Sequence, residues 1–129
     1  MRERHAAMKA LTIRQPYASL VIEGTKDVEN RTWYPGDEMI GERFAVHSSA
    51  RPDTHALESF GHLLRGASPN GMVLGTVSLF AVVRDSASAW ASAGNYHWLL
   101  AEPELFDEPV PMLGKLGLWI LDLGGSAPT

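Results

Sequence analysis

A cluster of charged residues follows the first apolar run of the sequence, in the segment TKDVENRTW at residues 25–33. Lys26 offers a mobile ammonium to a phosphate or a carbonyl, and Arg31 offers a planar fork for a phosphate or a base edge. Glu29 offers an acceptor for an exocyclic amine. These residue types in one short segment indicate a cleft that recognises a phosphate or a base.

Aromatic and polar side chains in other segments extend this candidate site. Trp33, Tyr96 and Trp98 suit stacking on a base, because every base presents an aromatic face. The predicted ligand-binding residues are Gln15, Lys26, Glu29, Arg31, Trp33, His47, Ser48, Tyr96 and Trp98. If the protein is an enzyme, Lys26 and Glu29 are the candidate catalytic residues.

The same residues also have structural interpretations. Glu29 and Arg31 are neighbours on one face of a predicted strand and can pair with each other, which at a surface is worth about 0–1 kcal/mol. Gln15 suits a hydrogen bond within its own turn. Aromatic residues supply much of the apolar burial of a small domain. Those that suit the core in this way are Trp90, Trp98 and Trp119.

The composition excludes several classes of site. The chain has 129 residues, of which 45% are apolar and 20% charged, as is typical of one globular domain. It contains no cysteine, which excludes disulfides, thiol nucleophiles and cysteine-ligated metals. Its histidines never have the HExxH spacing, and we predict neither a metal site nor a cofactor. The net charge of −4 disfavours strong attraction to long duplexes but permits a local basic cleft.

Neither a membrane span nor a secretory signal is evident in the sequence. No run approaches the roughly 18 consecutive apolar residues that span a bilayer. The start, MRERHAAMKA, lacks the apolar segment of a secretory signal. We therefore expect a cytoplasmic protein without a membrane partner, and a monomer by default.

The elements that must position the charged cluster are predicted from apolar spacing and turn residues. A first strand ends at Ile13, a short helix follows Pro16, and Gly24 ends that helix with a positive φ. Further strands are predicted for the charged segment and for RFAVHSSA, MVLGTVSLFAVV, YHWLL and LGLWILDL. A helix is predicted after Asp53, and a brief alanine-rich helix at DSASAWASAG. The proline-rich segment AEPELFDEPVPM is predicted to separate the last two strands.

These elements predict one α+β domain at residues 8–123, with about five or six strands and two or three short helices. We predict a flexible N-terminal extension at residues 1–7 and a flexible tail at residues 124–129. Irregular connections between the strands favour a small closed or partly closed β-barrel over a parallel sheet with crossover helices.

The segment IRQPYASLVIEGTKDVENRTW resembles the ASCH domain, the module at the C-terminus of activating signal cointegrator 1 proteins. The residues that match its first motif are Gln15 to Leu20, Gly24, Lys26, Glu29 and Arg31. NGMVLGTVSLF resembles the central strand of the family and GKLGLWILDL its closing strand, so the resemblance covers roughly residues 8–123. It implies a PUA-like fold, which is a small β-barrel with helices inserted at its ends.

The resemblance also implies an RNA- or nucleotide-binding module that recognises a phosphate or a modified base around Lys26. Its partner would be RNA, single-stranded nucleic acid or a small nucleotide. One alternative is a hydrolase, because some bacterial members are N4-acetylcytidine amidohydrolases with the motif Gly-x-Lys-x-x-Thr and others are ribonucleases. Here Glu29 stands at the threonine position, so a water activated by Glu29 would replace the threonine nucleophile. A second alternative is a protein-interaction module.

Overall fold

Six strands and two short α-helices make up the described part of the protein. The computed structural model describes residues 8–123, so the extension predicted at residues 1–7 and the tail predicted at residues 124–129 lie outside it. The strands are β1 Met8–Ile13, β2 Val28–Arg31, β3 Arg43–Ser48, β4 Met72–Val83, β5 Tyr96–Pro111 and β6 Leu118–Leu121. The helices are α1 Tyr17–Ile22 and α2 Thr54–Phe60, with 3-10 turns at Asp37–Met39 and Gly61–Leu63.

All six strands belong to one curled sheet with the order β2-β5-β4-β3-β1-β6. β1 and β3 pair in parallel, and the other neighbouring strands pair antiparallel. The sheet forms a half-barrel with the helices packed beside it, so the predicted α+β architecture of about six strands and two or three short helices is confirmed. No helix within residues 8–123 combines the length and the apolar character needed to cross a membrane.

The two faces of the sheet bury different sets of side chains, because successive residues of a strand point to opposite faces. In β1, Leu11 and Ile13 join the main core, whereas Ala10 joins a smaller cluster with Trp119. The main core lies inside the half-barrel, where α1 contributes Val21 and Ile22 together with its other buried residues. Helix α1 is therefore fixed by packing, although it has only six residues.

The turn that follows α1 determines the position of Lys26. Gly24 has a φ of +85°, as the sequence predicts for a glycine that ends a helix. The backbone N–H groups of Thr25 and Lys26 both donate to the Leu20 carbonyl at 3.0 Å. These bonds reverse the chain direction, and Lys26 consequently lies directly beside α1.

The helix predicted at residues 85–94 does not form; this segment consists of turns and irregular backbone. Its serine hydroxyls accept bonds from nearby backbone donors, from Ser88 N to Ser86 Oγ and from Trp90 N to Ser88 Oγ, both at 3.1 Å. Such local bonds give the backbone an alternative to the helical pattern. The prediction relied on alanine content and was wrong because serine dominates the local hydrogen bonding.

The proline-rich segment predicted as a connection is instead part of the continuous strand β5. β2 pairs with β5 only at Tyr96 to Leu99, so beyond these residues β5 has β4 as its single strand neighbour in the described chain. A strand with one free edge tolerates proline, because a missing N–H on that edge removes no ladder bond. Beyond Leu99, β5 therefore lies at an edge of the described sheet, next to β4 residues that also pair with β3.

We expect the substitution Gly24→Ala to lower the free energy of unfolding by about 1 kcal/mol, because an L residue is strained at a positive φ. A Cβ atom at Gly24 would meet Pro103 at an ordinary 3.6 Å, so the loss would come from the backbone and not from a clash. Urea denaturation measures the change. Gly66→Ala is the matched control, since Gly66 lacks a positive φ and its added Cβ also has ordinary contacts. Equal effects of the two substitutions would contradict the role assigned to Gly24.

Candidate functional site

Lys26, Glu29 and Arg31 form a continuous chain of ion pairs, in which Lys26 and Glu29 are buried and Arg31 is partly exposed. Lys26 Nζ lies 3.1 Å from Glu29 Oε1, and Arg31 Nε donates to Glu29 Oε2 at 2.9 Å. Lys26 is only 5% exposed and also donates to the Val28 carbonyl. Its ammonium lies 5.3 Å from the centroid of the Tyr17 ring. The expectation of a mobile ammonium is wrong, because these contacts fix the lysine.

Arg31 connects the ion pairs to a strand that does not pair with its own. Its Nη2 atom donates to the Thr12 carbonyl of β1 at 3.0 Å, while Arg31 itself belongs to β2. β1 and β2 are not neighbours in the sheet, so this side chain bridges the curled sheet. The structural interpretation of a Glu29–Arg31 pair is confirmed, although Glu29 is 6% exposed and the pair is not a surface pair.

One cleft beside the ion pairs has aromatic walls, and we call it the aromatic cleft. It encloses about 430 Å³. The rings of Tyr17 and Phe60 are 6.0 Å apart, and those of Phe60 and Trp90 are 5.1 Å apart. Lys26 and Glu29 supply charged groups to the same cleft. The cleft therefore combines a surface for an aromatic ligand with hydrogen-bonding groups.

Asn30 fixes the segment that carries Trp90. Its Nδ2 atom donates to the Trp90 carbonyl at 2.9 Å, and Ser92 N donates to its Oδ1 atom at 2.8 Å. Both bonds involve backbone groups of the 85–94 segment, so they do not depend on the side chains there. The aromatic wall is thus positioned by β2, the strand that also carries Glu29.

A second cleft lies on the other side of Tyr17 and Glu29, and we call it the basic cleft. It encloses about 390 Å³, and its cationic residues are Arg14, Arg31 and Lys115. The two carboxylates in its lining belong to Glu29 and Asp53. Glu29 is paired with its two cations, and Asp53 accepts from the backbone at the start of α2. The cations of the cleft thus outnumber its carboxylates by three to two.

Tyr17 lies at the junction of the two clefts and lines both. Burial raises the pKa of its hydroxyl above the ordinary value, and the carboxylates of Asp53 and Glu29 add to the effect. The phenol therefore keeps its proton at neutral pH and can donate a hydrogen bond. No residue in the described range 8–123 makes a hydrogen bond with this hydroxyl.

Three of the predicted site residues serve the framework beside α1 and β3. Gln15 Oε1 accepts from Ser19 N at 2.9 Å, and its Nε2 donates to Ser19 Oγ at 2.7 Å, which matches its structural interpretation. His47 is 1% exposed and bonds to the Met112 carbonyl at 2.7 Å. Ser48 is fully buried and bonds to Met72. None of the three lines either cleft.

The predicted stacking residues also lie away from the clefts. Trp98 is fully buried, with its ring 5.0 Å from that of Trp33 and 6.2 Å from that of Phe44. It has no exposed face on which a base could stack. Tyr96 contacts Tyr34 at a ring separation of 5.6 Å on another part of the surface. The structure thus brings together Lys26, Glu29 and Arg31 at the clefts and leaves the other six outside them.

Sequence reasoning missed the cleft residues Arg14, Tyr17, Phe60, Trp90 and Lys115. Tyr17 was detectable, since it directly follows Gln15 and Pro16 in the first ASCH motif. Phe60 and Trp90 come from separate segments without a shared spacing, so only the fold brings their rings together. Within the described residues, no group of three or more histidine or carboxylate side chains is arranged to hold a metal ion.

We expect Glu29→Ala to lower the free energy of unfolding by about 3 kcal/mol, because it leaves the buried Lys26 without a carboxylate. Lys26→Met should cost less, since Glu29 would keep its pair with Arg31. Urea denaturation gives both values. The control is Lys115→Met at an exposed lysine, which should change the free energy by less than about 0.5 kcal/mol. Equal losses for the Glu29 and Lys115 variants would contradict a structural ion-pair chain.

Two relatives with the same name are similar to this chain. They are activating signal cointegrator 1 of Mus musculus and of Homo sapiens, each 26% identical over an alignment 129 residues long. The alignment covers 87% of this chain and 22% of the relative. This chain therefore spans about a fifth of the length of these curated relatives.

Solved structures and a family model identify the fold and the family. The crystal structure of ASCH from Zymomonas mobilis matches with a TM-score of 0.58 at 14% identity, covering 95% of this chain and 92% of that chain. A point mutant of that protein matches with a TM-score of 0.59, also at 14% identity, covering 91% of each chain. These likenesses confirm the predicted PUA-like α+β fold. The ASCH domain model matches residues 11–110, and this chain therefore belongs to the ASCH domain family.

Proposed function

We propose that this chain is an RNA- or nucleotide-binding ASCH module whose ligand lies in the aromatic and basic clefts. The observation that carries the proposal is the chain of ion pairs from Lys26 through Glu29 to Arg31, which borders both clefts. Two cations and one carboxylate leave a positive charge at this junction. The whole chain has a net charge of −4, so the positive region is a local feature.

The aromatic cleft has the chemistry of a base site. Base stacking on aromatic side chains is worth about 1–3 kcal/mol per base and tolerates any base. Tyr17, Phe60 and Trp90 offer such surfaces, and Phe60 contacts both of the other rings. The Lys26 ammonium has used two of its three N–H groups within the described residues. Its third is available to a carbonyl of the ligand.

The shape and charge of the site favour unpaired nucleic acid or a small nucleotide over a long duplex. A base held between aromatic side chains cannot remain stacked in a duplex. Affinity for long duplexes comes from many lysine and arginine contacts with phosphates. An acidic chain has few cations available for such contacts. The remaining predicted residues, such as Gln15 and Trp98, would support the site through packing and hydrogen bonds.

A hydrolase is the second candidate, and the Lys26–Glu29 contact favours it. Both side chains line the aromatic cleft and lie 3.1 Å apart, which would bring a general base and a cation to one substrate. Against this candidate, both oxygens of Glu29 already accept bonds from cationic partners. We therefore propose binding as the primary function.

We expect Trp90→Ala to weaken the binding of short, random-sequence single-stranded RNA by about tenfold, because a stacking surface is lost. Asn30 contacts the backbone of residue 90, so its bonds should survive the substitution. Fluorescence anisotropy with labelled RNA measures the affinity. Tyr34→Ala is the control, because Tyr34 is 42% exposed and lies outside both clefts. RNA binding that both substitutions leave unchanged would contradict the site, and the absence of any binding would favour the protein-interaction alternative.

Incubation of the protein with N4-acetylcytidine and with RNA distinguishes a binding module from a hydrolase. We expect the parent protein and Glu29→Gln to release no product from either compound, as detected by liquid chromatography. Glutamine preserves the size of the side chain but cannot act as a general base. A product that the parent forms and Glu29→Gln does not would establish the hydrolase candidate instead.

A further inference from the structure

We infer that the two clefts divide one nucleotide between them, with the base in the aromatic cleft and the phosphate in the basic cleft. The inference rests on the proposed function and adds the part of the ligand that each cleft recognises. It makes the preferred ligand a phosphorylated nucleotide, as a free molecule or within a single strand. A free nucleoside would fill only one of the clefts.

The basic cleft has cations that are not committed to other groups. Arg14 and Lys115 are exposed, and neither side chain has a hydrogen bond or an ion pair with another residue in the described part of the chain. Arg31 uses its Nε and Nη2 atoms on Glu29 and Thr12, and its Nη1 atom makes no bond within residues 8–123. Three cations with spare N–H donors therefore line one cleft. Phosphate oxygens are strong acceptors for such donors.

The carboxylates of the basic cleft offset this preference only in part, because three cations face two carboxylates. Glu29 is bound on both oxygens by Lys26 and Arg31. Asp53 Oδ1 accepts from Ala56 N at 2.9 Å as the cap of α2. Both acidic groups thus have partners inside the protein, whereas Arg14 and Lys115 lack them. An anion gains more from this cleft than a cation or a neutral group does.

The aromatic cleft differs in the groups that it offers. The Lys26 ammonium is held by Val28 and Glu29, and Asn30 is committed through both polar atoms to the segment that carries Trp90. The surface left to a ligand is therefore mainly the three rings. A planar, uncharged base suits this surface better than a phosphate does.

Tyr17 connects the two halves of the proposed ligand. It lines both clefts, and its hydroxyl has no hydrogen-bond partner among the described residues. A ligand that occupies both clefts must pass this side chain. The hydroxyl can then donate to the sugar or to a phosphate oxygen between them, which gives the base and the phosphate a fixed relative position.

The test compares the four ribonucleosides with their 3′- and 5′-monophosphates by isothermal titration calorimetry. For the parent protein, we expect at least one monophosphate to bind about tenfold or more tightly than its nucleoside. The double substitution Arg14→Met and Lys115→Met should remove most of this difference, because Arg31 is then the one cation left of the three, and should leave nucleoside affinity unchanged. Trp90→Ala should weaken the nucleoside and the monophosphate by the same factor. Arg84→Met is the charge-matched control, because Arg84 contacts Tyr96 and lies outside both clefts.

The outcomes separate this inference from the function on which it rests. Equal affinities of nucleosides and monophosphates for the parent would overturn the division between clefts while leaving base binding intact. A phosphate preference that the double variant retains in full, or that Arg84→Met lowers equally well, would also overturn it. If the parent binds no nucleoside, no monophosphate and no short RNA, the proposed function and the inference both fail.

Discussion

The buried carboxylate of Glu29 is the constraint on which the rest of the site depends. A charge below the surface is tolerated when it is paired and hydrogen-bonded, and Glu29 meets this condition with one cation on each oxygen. Each cation is in turn held by a backbone carbonyl, Lys26 by that of Val28 and Arg31 by that of Thr12. The charged junction of the clefts is therefore part of the folded framework. Cations fixed before binding lose little conformational entropy when a ligand arrives.

The fold supplies each part of this junction from a different element. The turn at Gly24, just after helix α1, brings Lys26 beside Tyr17. Edge strand β2 carries Glu29 and Arg31 in consecutive positions of one face, and between them Asn30 holds the turn segment with Trp90. Because a single short strand positions the ion pairs and the aromatic wall, a change in its pairing with β5 would disturb both clefts together.

The sequence predicted the parts of the structure that local patterns determine. The strand at residues 72–83, the turn at Gly24 and the charged segment after α1 all depend on residues close together in the chain. Burial of Lys26 was not predictable, because it requires an acceptor from β2 and a ring from α1. Trp90 is placed at the aromatic cleft by contacts with residues distant in sequence, through its carbonyl with Asn30 and through its ring with Phe60. Residues that come together only through tertiary structure have no regular spacing in the sequence that could reveal the contact.

We propose that ligand binding occurs where the two clefts meet. Chemical-shift mapping measures this most directly, with ¹⁵N-labelled protein titrated with short single-stranded RNA. We expect the perturbed amides and the tryptophan side-chain signals to cluster around Tyr17, Glu29 and Trp90. Tyr34 and Tyr96, on another part of the surface, should remain unperturbed. Shifts that cluster at Tyr34 and Tyr96 while the cleft residues stay unchanged would show that the ligand binds elsewhere.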